Sequence, residues 1–189
     1  MTDISWAWYL SRSSALVGFL LLYASIFLGL SIRTPVLQKI IKPAYSINMH
    51  RWVSLQALVF ASVHGFSFLF DEFLDFNLAN ILIPFYSGSY DIIDGNILAL
   101  GIIGFYTMLV LVLSSYFKKH ISHSLWRALH FLNIALYIVI VLHALYLGSD
   151  LRFGALRNIF ISANIFLGML FIFNLSLRLK SIFLQKKPI

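Results

Sequence analysis

The sequence predicts an all-α, polytopic membrane helical bundle of about five transmembrane helices, with the N-terminus outside and the C-terminus cytoplasmic. Three observations carry this prediction. Of the 189 residues, 60% are hydrophobic and only 11% charged, with a mean hydropathy of +0.88. Five apolar stretches each approach the roughly 20 residues needed to cross a hydrocarbon core about 30 Å thick. The charges, finally, segregate between alternate connecting segments.

The stretches run from Ser14 to Ile32, His50 to Phe70, Ile97 to Phe117, Leu125 to Leu147 and Leu156 to Leu177. The first lacks a basic leader and a small-residue cleavage site, so it reads as a retained helix rather than a secretory signal. With five helices the connecting segments alternate sides. Arg33, Lys39, Lys42 and Arg51 follow the first helix, Lys118, Lys119 and Arg127 follow the third, and Arg178, Lys180, Lys186 and Lys187 follow the fifth. These are eleven of the fourteen basic residues, and by the positive-inside rule they mark the cytoplasmic face. All the acids (Asp3, Asp71, Glu72, Asp75, Asp91, Asp94 and Asp150) fall on the opposite face. The net charge of +7 therefore points to anionic lipid headgroups, not nucleic acid.

No cysteine is present, which excludes disulfides, thiolate metal sites, iron–sulfur clusters and covalent haem attachment. Histidine is left as the main soft-metal ligand. His50 and His64 bracket the second stretch, and His130 and His143 lie in the fourth. Both helices run from inside to outside, so His50 shares the inner level with His130 and His64 shares the outer level with His143. Fourteen residues are close to four helical turns, about 21 Å along the axis. His50 and His64 thus leave nearly the same face, too far apart for one metal ion. Thirteen residues, about 20 Å, rotate His143 away from His130 on an ideal helix. The fourth helix must therefore tilt, tighten locally or use two rotamers.

A lone membrane histidine often just bonds a neighbouring helix, but four at paired depths point to a cofactor. Zinc needs four converging ligands where each level offers two. Haem brings its own equatorial nitrogens and needs only axial ligands. Two imidazoles per iron leave no open position, which favours electron transfer. Gly18, Gly29, Gly65, Gly101 and Gly104 would admit a flat ring or simply pack helices. Arg51 and Arg127 suit the propionates of an inner haem, and Arg12 with Ser13 those of an outer one; the arginines fit equally as snorkelling anchors. Trp52, Phe60, Trp126 and Tyr137 are candidates for an electron path or for plain packing.

HR running to VHG in the second helix, LVLSS at the end of the third, and WRALHFLN leading to HALYLGSD in the fourth together resemble the ferric reductase-like transmembrane domain. That superfamily holds NADPH oxidases, ferric reductases and the haem subunit of methionine-sulfoxide reductase systems. The resemblance runs from about Trp8 to Arg178. It implies a single transmembrane haem domain over 1–189, with two b-type haems on His50/His130 (inner) and His64/His143 (outer). Electrons would pass from a cytoplasmic flavin reductase or quinol to ferric iron or a periplasmic redox partner. No soluble FAD/NADPH domain of the kind many relatives carry is expected over 1–189, so any FMN or FAD would come through a partner. Lys118, Lys119, His120 and His123 could dock that partner or form a solvated positive-inside loop.

NADPH oxidases carry an extra histidine one turn past the outer ligand, where this chain has Phe68, so dedicated superoxide production is not expected, although Arg12 matches a helpful oxidase arginine. The rival readings are a superoxide-producing oxidase-like protein and a haem or metal transporter. The expected location is the cell membrane, multi-pass, as in a bacterial inner membrane.

Overall fold

The computed structural model describes residues 6–72, 74–86 and 94–185, with side chains up to residue 180. Asp3, Asp91, Lys186 and Lys187, used above to assign sidedness, lie outside the described residues. The elements are α1 (Trp6–Ser31), α2 (Pro35–Gln38), α3 (Pro43–Ser67), α4 (Leu78–Leu82), α5 (Gly95–Tyr116), α6 (His123–Leu147) and α7 (Ala155–Gln185), with short 3-10 turns at Phe68–Phe70, Lys118–His120 and Ser149–Leu151. Among the described residues there is no strand. The helices α1, α3, α5, α6 and α7 are long and apolar enough to span a membrane.

Helix boundaries follow local chemistry. Pro43 opens α3, seven residues before the predicted start, because its fixed φ and missing N–H suit a first turn. Asp94 caps α5 by accepting from the Asn96 N–H, and Ser122 caps α6 by accepting from Leu125 N–H. Asn77 and Asn80 form a reciprocal capping box around α4.

The main packing pairs are α1 against α3 and α5 against α6, with α5 also touching α3. Small residues let α1 approach α3. Ser11, Ser14, Gly18 and Ser25 are buried along it, and a Cβ on Gly18 would sit 3.4 Å from that of Phe60. Leu22, Ala57, Leu58, Met108, Leu111, Val112 and Leu136 form the buried core. This core lies between the two histidine levels, since residues 57 and 58 fall between His50 and His64 and residue 136 between His130 and His143. α7 is tied on mainly by polar bonds: Tyr137 to Asn164 (2.5 Å), Tyr23 to the Ala163 carbonyl (3.1 Å) and Thr34 to Asn174 (2.9 Å). Between apolar helices in lipid, such bonds are worth about 1 kcal/mol each.

Candidate functional site: two stacked histidine pairs

α3 and α6 make little direct helix contact; histidine rings face each other between them. The His50 and His130 ring centroids are 6.2 Å apart and those of His64 and His143 are 6.4 Å apart, each pair at 76° between planes. Residues of equal expected depth therefore meet, and α3 and α6 run parallel.

Three rings are held by backbone carbonyls. His50 Nδ1 donates to Ser25 O (2.8 Å), His64 Nδ1 to Ser11 O (3.0 Å) and His143 Nδ1 to Ile97 O (3.0 Å). A carbonyl oxygen can only accept, so Nδ1 carries the proton and Nε2 keeps its lone pair. Ser11 and Ser25 are themselves fourteen residues apart, the spacing of His50 and His64, so antiparallel α1 and α3 match serine to histidine at both levels. The serine hydroxyls add contacts, Ser11 Oγ at 2.9 Å from His64 Nδ1 and Ser25 Oγ at 3.1 Å from His50 Nδ1.

His130 is built differently. Among the described residues its Nδ1 has no carbonyl acceptor; Asn133 Nδ2 lies 3.3 Å away while donating to the His130 carbonyl at 2.9 Å. The ring instead stacks on Trp126, with centroids 4.8 Å apart at 22°. Lys118 Nζ sits 4.1 Å from the centre of the Trp126 ring. Trp126 Nε1 is buried without a hydrogen-bond partner among the described residues.

The thirteen-residue spacing on α6 needs no helix defect, because α6 is unbroken from His123 to Leu147. The rings leave it toward different neighbours, His130 toward Trp126 on its own helix and His143 toward α5. Gly101 makes the second direction possible. A Cβ there would lie 2.5 Å from His143 Cε1 and 2.7 Å from its Nδ1. The other glycines divide in the same way: Gly29 borders the His50 ring (3.5 Å), whereas Gly104 meets Ile140 and Gly65 faces Ile81 (3.7 Å).

Arg12 and Arg51 are occupied elsewhere. Arg12 forms a bidentate ion pair with Asp150 and lies over the Trp8 ring at 4.6 Å. That bond holds the Asp150 carboxyl below the usual carboxylate range. Ser13 bonds the carbonyls of Tyr9 and Leu10 in its own helix. Arg51 lies over Tyr116 at 5.2 Å, and Arg127 lines an open pocket of about 490 Å³ with His123, Ser124, Ala128 and Phe131. Phe68 covers His64 edge to face at 5.3 Å and is backed by Phe76. Trp52 is 62% exposed, away from the rings. Asp71, Glu72 and Asp75 line a pocket with Trp6 and Phe70, but among the described residues no three His, Asp or Glu side chains gather as a metal group.

Five apolar helices with two histidine ring pairs between them define a multi-pass helical membrane protein. The chain belongs to the family described as "Ferric reductase like transmembrane component", which matches residues 14–141. That range includes His50, His64 and His130 and stops two residues short of His143. Neither a curated protein nor a solved structure matches the chain. Family membership makes transmembrane electron transfer the expected class of activity.

Proposed function

We propose that the chain is a two-haem b-type wire, carrying electrons across the cell membrane from a cytoplasmic flavin reductase or a quinol to an outer-face acceptor, either ferric iron or a periplasmic redox partner. The separation of the paired rings carries this reading. If each pair held one metal ion through Nε2 at about 2.0 Å, the ring centres would lie about 6 Å apart. The observed 6.2 and 6.4 Å agree with that value. A flat group between α3 and α6 would also fill the space where those helices do not touch.

Further support comes from the outer groups around the ligands. An Nδ1–H bonded to a carbonyl fixes the tautomer and raises the basicity of Nε2, and three of the four rings have this bond. The unpartnered Trp126 N–H and the Lys118 ammonium suit a carboxylate at the inner level. We assign the inner propionates to them in preference to Arg51, which lies over Tyr116, or Arg127, which lines an open pocket with residues of its own helix. At the outer level Arg12 would have to share its charge with Asp150.

Haem bound there supplies a reversible one-electron couple. His50 with His130 and His64 with His143 would hold the two groups, and an apolar core separates the two levels. With the basic ends of α1, α5 and α7 inside, an outward-moving electron gains about 2.3 kcal/mol per 100 mV of full membrane potential. Phe68 over His64 speaks against the oxidase reading, and rings pre-set by backbone bonds speak against a transient transport site. Under this reading the protein copurifies with about two haems per chain, as four axial imidazoles require, and resists carbon monoxide when reduced. His64→Ala or His143→Ala removes mainly the outer haem, and His50→Ala or His130→Ala mainly the inner one. A colourless protein, or His50→Ala and His64→Ala variants that each keep full haem absorbance, would end the proposal.

A further inference from the structure

Gln56 lies midway along α3 (Pro43–Ser67), at the depth where a span is farthest from water. Its side chain is exposed on the bundle surface and has no hydrogen-bond partner among the described residues. The other amides deep within the spans are all satisfied. Asn133 bonds the His130 carbonyl, Asn164 bonds Tyr137 and the Phe160 carbonyl, and Asn174 bonds Thr34 and the Leu170 carbonyl. At 100° per residue, Gln56 points about 120° from His50 and nearly opposite Leu58, which packs in the core shared with α5. This face therefore looks into lipid, where an unpaired amide is costly.

The residues around it form a seam. Tyr45, Met49, Trp52, Gln56, Val59, Val63 and Phe66 follow alternating steps of four and three, the spacing of one helix packing along another. Tyr45, Trp52, Val59 and Phe66 are 39–62% exposed. We infer that this face of α3 is the interface for a second copy of the chain, closed at its centre by reciprocal Gln56–Gln56 amide bonds. A second copy is the occupant that the chemistry selects. All copies insert with one orientation, so a two-fold axis runs along the membrane normal and brings each Gln56 to the depth of its mate. An amide is donor and acceptor at once, so the pair satisfies itself. A single polar residue in such a seam also fixes register. The inference does not depend on what the histidines hold.

The natural chain has no cysteine, so one introduced thiol is an unambiguous probe. Val59→Cys, with Gln56 intact, should form a disulfide-linked dimer in native membranes on mild oxidation. Ile172→Cys on lipid-exposed α7 serves as the control for random encounter. In vesicles of varied protein-to-lipid ratio, energy transfer between labelled copies gives the dimer constant. Gln56→Leu should weaken it about tenfold, equivalent to about 1.4 kcal/mol for two intramembrane hydrogen bonds, with helicity and absorbance spectrum unchanged. The inference is overturned by a monomer at every density, by Val59→Cys linking no better than the α7 control or only to another polypeptide, or by a dimer indifferent to Gln56→Leu.

Discussion

Gly101→Ala separates the helicity of α5 from the integrity of the site. Alanine is favoured over glycine in a helix by about 1 kcal/mol, so α5 itself gains. The added methyl would lie 2.5, 2.7 and 3.1 Å from His143 Cε1, Nδ1 and Nε2. Carbon contacts relax to about 3.5–4.0 Å, so the ring must retreat by about 1 Å. Metal–ligand distances hold to about 0.2 Å, and the retreat also strains the bond from His143 Nδ1 to Ile97 O. The expected outcome is loss of the outer haem, about half the reduced-minus-oxidised absorbance, in a protein at least as helical as wild type. Gly168→Ala, where an added Cβ meets nothing within 4 Å, is the matched control. Redox difference spectra and pyridine haemochrome content on both variants decide it. Full haem content and an unchanged spectrum in Gly101→Ala would refute the claim that this glycine seats a ligand.

Trp126→Phe keeps the stack on His130 but deletes the buried N–H. It should lower the inner haem's midpoint potential and shift one propionate bending mode in resonance Raman spectra, while both haems are retained; unchanged values would remove Trp126 from the inner site. Phe68→His should speed superoxide formation on air reoxidation about tenfold, a modest share of what a well-placed donor supplies, as measured by stopped-flow at equal haem content. Rapid superoxide release by the wild type would return the protein to the oxidase branch. Asp150→Asn should lower thermal stability at neutral pH by at most about 1 kcal/mol, as for a partly exposed ion pair. The folded carboxyl titrates below its unfolded value, so this stabilisation is complete above pH of about 4 and is lost as pH falls through the depressed value. Melting curves of the two proteins should converge in acid.

The spans were legible because hydropathy and length suffice to find them, and the pairing of depths followed from sidedness and spacing. Boundaries were less so: Pro43 begins α3 about two turns outside its apolar run, where composition is silent but proline geometry is not. Backbone acceptors leave no direct trace in a sequence, so the carbonyls of Ser11, Ser25 and Ile97 could not be read. An indirect trace existed in the serines, spaced like the histidines they meet. Gly101 was visible as a glycine, but its contact, a ring rather than a macrocycle, depends on how His143 leaves α6. Arg12 was assigned to a haem carboxylate because its depth fits one; its partner, Asp150, lies 138 residues away, beyond any local pattern.

The sparse contact between α3 and α6 bears on how the protein is made. Two hairpin-like halves, α1 with α3 and α5 with α6, can each insert and close as they leave the ribosome, but little protein surface joins α3 to α6. The halves already meet through α3 and α5, with Ala57 and Leu58 in one core with Met108, Leu111, Val112 and Leu136, and whatever bridges the histidines would add the tie that α3 and α6 lack. Cellular supply of that group would govern how much of the chain escapes membrane proteases, so abundance would track cofactor availability even at constant transcription.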